Sequence, residues 1–511
     1  MGVKHEHCRH CTQRLESGRA RSTALGNREY SMTAPCSGEF VRRPFRLIVI
    51  ALTLALQGCI TAPNLDPQQQ IIASERLGLA AQVSTPKPAQ AWWSAFNDPQ
   101  LDQLMRQALA DNPSLAQAVA RVRKAQSLAD VARAGLAPSL SLNAQETRQR
   151  FSGHDVIPPP YAGTRRWEGH EGLNLSWDID FWGRQDSLLK QARSRTTAAA
   201  LDVVSARLAL SGAVAQAYID LYRNNALADV AQRTEAQRER ILEITRRRVR
   251  SGLDTNVELR EASGAVPEAQ VELLQAQAAA VLDTHQLAAL SGQGAMVYAQ
   301  ILRPTLDPAA NLPLPAALPA DLLGHRPDVL AARDRIEAAR AGQAAAKAAF
   351  YPDINLTAFA GTSAVGFDNL FHGSSGAFGA GPAIHLPLFD AGRLRAEYRG
   401  AAAEIDDAVS AYNQSVLQAV RETSDQLSLI EALSAQIVLQ ERSLDDAEAA
   451  YNLAEERYRA GLSSYLTVLN TESAVLSARR EHVALISGGA IARVSLLLAV
   501  GGSFDPGEQH E

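Results

Sequence analysis

Cysteine and aromatic side chains are scarce in this sequence. Four cysteines occur in 511 residues, and three of them, Cys8, Cys11 and Cys36, precede Cys59. Loss of an N-terminal leader would leave Cys59 as the one cysteine of an exported chain, which excludes a disulfide framework. Phe, Trp and Tyr together make up 5% of the residues. With abundant alanine, this composition predicts packed helical rods rather than a thick globular core.

Signatures of catalysis and of nucleic-acid binding are also missing. The sequence has no HExxH metal spacing, no glycine-rich phosphate loop and no recognisable Ser/His/Asp set. We therefore expect neither an enzyme nor a resident cofactor or metal. Residues 1–58 hold nine Lys/Arg and four Asp/Glu, so their removal leaves 41 basic and 51 acidic residues, a net charge of −10. Such acidity argues against a nucleic-acid partner.

The N-terminus has the pattern of an export signal. Arg42, Arg43 and Arg46 precede an apolar run over residues 47–56, which is too short to span a bilayer as a stable helix. The run leads into Leu-Gln-Gly-Cys, which resembles a bacterial lipobox, so we expect lipidation of Cys59 after cleavage. An ordinary signal with an incidental cysteine is the alternative, because Gln57 is unusual in that box. Either Met1 or Met32 could be the start, and the His/Cys-rich tract at residues 5–11 would be discarded.

Two copies of one unit make up most of the remaining chain. A shift of 214 positions superposes Pro113 on Pro327 and Pro138 on Pro352. A shift of 209 superposes Arg-Val-Arg-Ser-Gly-Leu at 248–253 on Arg-Tyr-Arg-Ala-Gly-Leu at 457–462. Matched prolines and glycines are not expected from chance similarity between two alanine-rich helices. The sequence therefore predicts an internal duplication.

Each copy contains a predicted strand hairpin followed by very long helices. In the first copy apolar residues alternate with polar ones before and after a Gly/Pro-rich loop, for example Leu173, Leu175 and Trp177. The second copy repeats the pattern over 353–361 and 378–389. Such alternation is typical of barrel strands with one lipid-facing side, or of half-buried soluble hairpins.

Helices of unusual length follow each hairpin. The segments 185–250 and 394–460 contain no proline, which predicts rods of roughly 100 Å. Shorter opening helices of 25 residues, over 113–137 in the first copy and at the matching place in the second, and return helices over 254–290 and 464–499, would stack end to end beside them. A coiled-coil seam is predicted through Ile430, Leu433, Ile437, Gln440, Leu444, Ala447, Tyr451, Ala454 and Tyr458.

The strand count has a consequence for assembly. Four strands cannot close a transmembrane barrel, and open edges in hydrocarbon leave backbone groups unpaired. If the hairpins enter a membrane, several copies must share one barrel. The strand count alone permits a dimer, a trimer or a tetramer.

Specific motifs then resemble a known family. They are Trp-Trp-x-x-Phe-x-Asp-Pro-x-Leu at 92–101, Arg-Pro-Asp at 326–328, the turn at 457–462, and Tyr-Leu-Thr-Val-Leu at 465–469. The chain resembles, from Trp92 to Gly502, the TolC-like outer-membrane efflux proteins, in particular the lipoprotein branch called NodT-type. The resemblance implies a mainly α fold with a small β part. Three copies would share a 12-stranded β-barrel continued by a periplasmic α-helical barrel.

The resemblance also implies location, partners and sites. A homotrimer, lipid-anchored in the outer membrane, would pass drugs or metals from an inner-membrane RND-type transporter through a periplasmic adaptor. Gly252, Leu253, Gly461 and Leu462 match the turns that meet the adaptor, although they also read as simple helix caps. Leu466 and Asn470 match positions that constrict the periplasmic gate. Relatives commonly have Asp where Asn470 stands, so Leu466, helped by Glu472, could carry the constriction instead.

These features divide the chain into a leader (1–58), a lipid-anchored tether with an equatorial segment (59–111), a first repeat (112–292), an equatorial linker (293–325), a second repeat (326–502) and a tail (503–511). The expected role is the passive exit duct of a tripartite pump. A type I protein-secretion duct is the alternative of like architecture, and a lipid-anchored coiled-coil scaffold leaves the strands unexplained.

Overall fold

The computed structural model describes residues 65, 67–79, 89–154, 156–319 and 322–504. The predicted leader, Cys59 and nearly all of the C-terminal tail lie outside these ranges. The described chain is mainly helical with one small antiparallel sheet, which confirms the predicted fold class.

One series of elements occurs twice along the chain. Helix α1 (Pro99–Asp111) is followed by α2 (Pro113–Ala134), β1 (Ser139–Arg150), β2 (Arg165–Asp178), α3 (Arg184–Arg250) and α4 (Asn256–Leu290). The short α5 (Leu322–His325) then leads to α6 (Pro327–Ala348), β3 (Asp353–Val365), β4 (Gly376–His385), α7 (Arg393–Arg459) and α8 (Tyr465–Ala499). Each long helix, α3 and α7, therefore follows a hairpin and precedes a return helix.

Several helix ends differ from the prediction by a few residues. Helix α2 ends at Ala134 rather than at 137, because a turn closes before Pro138 and the residue before proline avoids helical geometry. Helix α4 begins at Asn256 rather than at 254, because Thr255 caps it in a capping box with Glu258. Helix α3 begins one residue before the predicted 185–250, and α7 begins and ends one residue before the predicted 394–460.

The four strands form one sheet in the order β1-β2-β3-β4 with continuous antiparallel register. Paired residues point to the same side of a sheet. One side, here called the apolar face, therefore carries Leu140, Leu142, Leu173, Leu175, Trp177, Ile354, Leu356, Phe378, Pro382 and Ile384. The opposite side, called the polar face, carries Ser, Thr, Asn, Gln and His side chains, with Phe359 as its large apolar member. The predicted alternation thus extends across all four strands.

The last strand is shorter than predicted. Alternation was expected to run through Leu386 and Leu388, but β4 ends at His385. His385 pairs with Asp353, the first residue of β3, so the pairing of the two strands ends there.

Opening and return helices meet end to end, as the sequence predicts. In the first copy Asn112 Nδ2 donates to the Leu290 carbonyl at 2.8 Å, and its Oδ1 caps α2 through Ser114 N–H. In the second copy Arg326 takes the equivalent position and donates to the Ala499 carbonyl at 3.0 Å. Both junctions use the residue before the N1 proline, so each ties the C-terminus of a return helix to the start of its own opening helix.

The predicted seam of α7 faces the interior of the protomer. Tyr451, Ala454 and Tyr458 are buried, and Gln440 Nε2 donates to the Ala478 carbonyl of α8 at 2.9 Å. Helices α3 and α8 also contain stretches apolar enough to cross a membrane. In this structure they pack against each other, with Gln216 donating to Ser495 Oγ at 3.2 Å. Their apolar side chains contribute to the largest buried cluster of the described chain.

The aromatic segment before α1 belongs to the same cluster. Trp92, Trp93 and Phe96 are buried in a 3₁₀ turn. The buried Asp98 caps α1 through Gln100 N–H and accepts from Tyr218 Oη at 2.8 Å and Thr305 N–H at 2.7 Å. One carboxylate therefore ties this segment to α3 and to the linker 293–325.

Candidate functional site

The turn after α3 forms a Schellman cap at the helix end opposite the sheet. Gly252 has a φ of +74°, its N–H bonds to the Val249 carbonyl at 3.0 Å, and the Leu253 N–H bonds to the Arg248 carbonyl at 2.9 Å. This pairing satisfies carbonyl groups that the helix itself leaves free. Glycine is required because the turn needs a left-handed residue.

The turn after α7 has the same hydrogen bonds. Gly461 has a φ of +80°, and its N–H bonds to the Tyr458 carbonyl at 3.0 Å, while the Leu462 N–H bonds to the Arg457 carbonyl at 2.8 Å. The leucine after such a glycine usually packs back on its helix. Here Leu253 is 63% exposed and Leu462 is 70% exposed. Two rigid turns thus present apolar side chains to the outside, which is what a protein contact at these turns requires.

A polar cluster that was not predicted joins the two turns. Arg248 binds Asp254 through two hydrogen bonds of 2.8 and 3.0 Å, and donates from Nη1 to the Tyr458 carbonyl at 2.8 Å. Its guanidinium lies 4.4 Å from the centre of the Tyr458 ring. Tyr458 Oη donates to Asp254 at 2.6 Å and lies 2.9 Å from Thr245 Oγ1. We call Thr245, Arg248, Asp254 and Tyr458 the tip cluster.

Electrostatics in the tip cluster favour the charged carboxylate. Burial alone would raise the pKa of Asp254, but the hydrogen bonds from Arg248 and Tyr458 and the charge of Arg248 outweigh it and lower this pKa. Burial and the hydrogen bond to Asp254 raise the pKa of Tyr458 to about 12. The phenol therefore stays protonated and donates, so the cluster holds the end of the first copy against the end of the second.

The predicted gate residues lie on one exposed side of α8. Leu466 is 62% exposed and does not enter the seam of its own protomer. Asn470 is exposed one helical turn further on, which places the two on the same face. Glu472 was expected to help them, and this is wrong. Six residues from Leu466 it lies on another side of the helix, where it is buried and its carboxylate accepts from Arg238 Nε at 3.3 Å.

The Arg238–Glu472 pair is a second connection between the copies. Arg238 Nη1 also donates to the Ala265 carbonyl of α4 at 2.7 Å, so α3, α4 and α8 meet at this point. Burial raises the pKa of Glu472, and Arg238 partly opposes that shift.

A mismatch between the two copies of the repeat could have indicated the tip cluster in the sequence, since Asp254 and Val249 of the first copy correspond to Ser463 and Tyr458 of the second. No sequence pattern indicates the Arg238 contact.

Metal-binding geometry was not predicted, and within the described ranges no group of three or more His, Cys, Asp or Glu residues is placed to hold an ion.

Comparison with known proteins agrees with this architecture. The model of the family described as "Outer membrane efflux protein" matches residues 104–293 and 318–502. The fusaric acid resistance protein FusA of Burkholderia cepacia is 36% identical, covering 70% of this chain and 69% of FusA. The toluene efflux pump outer membrane protein TtgF of Pseudomonas putida is 32% identical, covering 89% of this chain and 96% of TtgF. The crystal structure of the outer membrane protein VceC of Vibrio cholerae superposes with a TM-score of 0.77 at 35% identity, covering 82% of this chain and all of VceC.

The matched segments span most of the described chain and include both hairpins, both long helices and both turns. The protein is an outer-membrane channel component of a tripartite efflux system that extends into the periplasm. The chain belongs to the outer membrane efflux protein family.

Proposed function

We propose that three copies of this chain form one exit duct for small toxic compounds. An inner-membrane transporter of the RND type would deliver them through a periplasmic adaptor. The observation that carries the proposal is the open sheet: four strands with one exposed apolar face and two edges, β1 and β4. Three such sheets supply twelve strands, and closure pairs each β1 edge with a neighbouring β4 edge.

Adaptor contact is assigned to the two turns. Leu253 and Leu462 are exposed on caps of identical hydrogen bonding, so an adaptor hairpin would meet equivalent apolar contacts from each copy of the repeat. Gly252 and Gly461 fix the geometry of those contacts. In this proposal Leu466 and Asn470 constrict the bore just beyond the second turn.

The class of compound is inferred from the relatives. FusA is named for fusaric acid resistance and TtgF for toluene efflux, so small organic toxicants are the class we propose. These names also favour the pump over a type I secretion duct. The duct supplies no energy in either case.

Lipid attachment at Cys59 completes the proposal. The Leu-Gln-Gly-Cys sequence supports it, and Cys59→Ala should abolish incorporation of labelled palmitate. Retained labelling would contradict the assignment.

One experiment tests the assembly and the activity together. The full-length protein is expressed with a matching adaptor and transporter in a strain that lacks its outer-membrane channels, and resistance to organic toxicants is measured. We expect resistance together with an SDS-resistant, heat-modifiable trimer in the outer-membrane fraction. A monomer without a bore, or a trimer that never restores resistance, would count against the proposal.

A further inference from the structure

The outward end of the sheet carries a group of arginines on its apolar face. Register pairs Arg148 with Trp167 and Arg150 with Arg165. Both pairs continue the rows that contain Leu140 and Leu142, since alternate residues of a strand share a side. Arg166, next in sequence, points to the polar face and pairs with Gln149. We call Arg148, Arg150, Arg165 and Trp167 the outer basic row.

The height of this row on the sheet matches a membrane boundary. Trp177 and Trp167 lie on the same face of β2, ten residues apart. At about 3.3 Å per residue and a tilt of about 40°, ten residues rise about 25 Å, the usual height of the apolar band between two aromatic girdles. Trp177 marks the lower boundary and donates from its indole to the Leu136 carbonyl at 3.0 Å. Trp167 then marks the outer boundary, and the arginines lie level with it or beyond it.

Charge in this region is not neutralised within the protomer. In the described part of the chain Arg148, Arg150 and Arg165 are exposed and join no ion pair. Arg148 lies 5.9 Å from the centre of the Trp167 ring, and Arg150 donates weakly to the Gly163 carbonyl at 3.4 Å. Two carboxylates, Glu146 and Glu171, lie on the same face between Trp177 and Trp167, so this face of β2 is wholly apolar only from Trp177 to Leu173, and the guanidinium groups lie outermost.

Apolar side chains from the β3–β4 loop lie beside the row. The Gly366 N–H bonds to the Trp167 carbonyl at 2.7 Å, which brings the loop against β2. Leu370 is fully buried over Gly169, and Phe367 and Phe371 stay exposed as an edge-to-face pair. Exposed phenylalanines next to unpaired arginines are typical of a surface that contacts lipid and headgroup together.

We propose that the outer basic row binds the phosphate groups of outer-leaflet glycolipid, with lipid A phosphates as the ligand. Arginine guanidinium forms paired hydrogen bonds with phosphate oxygens, and lipid A is a phosphorylated glycolipid of the outer leaflet. The tryptophan and the two phenylalanines pack against the sugar and the first acyl carbons. The inference uses the outer-membrane location of the chain and is independent of the pump, the adaptor and the compound.

The row should make binding depend on phosphate. Each arginine near an anionic membrane surface contributes about 1 kcal/mol, which is about fivefold in affinity. Three arginines therefore predict a preference of roughly 100-fold for phosphorylated over dephosphorylated lipid A. The second hairpin has no Arg or Lys between Asp353 and His385, so one site per protomer is expected.

Native mass spectrometry of the full-length protein in detergent tests this proposal. The protein is titrated with lipid A that carries both phosphates and with the same lipid after both are removed. We expect roughly 100-fold tighter binding of the phosphorylated lipid by the wild type. The triple variant R148Q/R150Q/R165Q should lose most of that preference, and Arg166→Gln, the matched change on the polar face, should keep it.

Three outcomes would overturn the proposal. They are equal binding of the two lipids by the wild type, an undiminished preference in the triple variant, and an equal loss in Arg166→Gln, which would indicate a nonspecific effect of charge. Circular dichroism and heat modifiability check that the variants fold. The comparison of the two lipids on wild-type protein needs no variant and decides the matter if the triple variant fails to fold.

Discussion

At the scale of single residues, the sequence and the structure identify different parts of the same site. Gly252 and Gly461 could be predicted because a helix end followed by Gly-Leu is a local signal. The mismatch between the copies singles out Asp254 and Tyr458, but the contacts of Tyr458 with Arg248 and Asp254 could not be predicted, because they join positions more than 200 residues apart. Local patterns do not encode such a contact, and it forms only after both long helices are placed side by side.

The first prediction concerns Leu466. An exposed leucine that constricts a bore blocks it by volume, and in a trimer every change acts three times. Leu466→Ala should therefore raise single-channel conductance in planar bilayers. Leu453→Ala is a suitable control, since this leucine is also exposed but lies on α7. Unchanged conductance in Leu466→Ala would contradict the assignment of this residue to the gate.

Tyr458 carries the second prediction. Tyr458→Phe removes the hydrogen bond to Asp254 and the contact with Thr245 while keeping the ring, at a cost of about 1–3 kcal/mol. The two turns should separate more readily, so the open fraction in planar bilayers should rise.

Tyr451 supplies the control for this change. It lies buried on the same helix, and among the described residues its hydroxyl has no hydrogen-bond partner. Tyr451→Phe should therefore leave both the open fraction and the melting temperature nearly unchanged. Equal effects of the two substitutions would mean that the hydroxyl of Tyr458 has no special role.

Asp254 carries a prediction about pH. Its pKa is lowered in the folded state, so its contribution is fully present above the ordinary aspartate pKa of about 4 and is lost as the pH falls below that value. The difference in unfolding temperature between wild type and Asp254→Asn should be constant from pH 8 to about pH 5 and shrink below about pH 4. A difference that changes between pH 8 and pH 6 would assign the effect to another group.

At the scale of elements, the end-to-end junctions explain how two short helices act as one rod. Long uninterrupted segments and paired prolines predicted the stacking. The chemistry of the junctions differs between copies, with Asn112 in one and Arg326 in the other. Arg326 is buried and also binds Asp328 at 2.7 Å and Glu422 at 2.8 Å. A repeat alignment predicts where such a junction falls but not which side chain closes it.

Arg326→Ala should destabilise the second junction. It removes a buried cation that binds two carboxylates and one helix-end carbonyl, and leaves Glu422 with Gln418 and the Ala499 carbonyl with Thr423 at 3.4 Å. Because both carboxylates are more than a third exposed, water offsets part of the loss, and we expect about 2–3 kcal/mol. Arg333→Ala, on the exposed side of the same helix, should cost less than about 0.5 kcal/mol. Urea unfolding of both variants measures the difference, and equal midpoints would contradict this role for Arg326.

At the scale of the whole molecule, the exposed apolar face of the sheet allows the protein to insert into a membrane. The alternation of Leu173, Leu175 and Trp177 indicated a two-sided strand, but a soluble hairpin gave the same pattern. The register resolves this ambiguity, because it aligns the apolar side chains of four strands on one exposed face. No pattern within a single strand contains that information, since it arises from the pairing of β2 with β3 across more than 170 residues.

Leu173 and Asn174 test this face as neighbours on opposite sides of β2. Leu173 lies in the middle of the apolar face, where an arginine in contact with hydrocarbon costs about 2–4 kcal/mol in each copy. Asn174 points to the polar face, where an arginine stays hydrated. Leu173→Arg should therefore sharply reduce the trimer recovered from the outer-membrane fraction, whereas Asn174→Arg should insert normally and alter only ion selectivity. If Asn174→Arg blocked insertion and Leu173→Arg did not, the two faces would have been assigned the wrong way round, and the bore would have to lie on the side that carries the leucines.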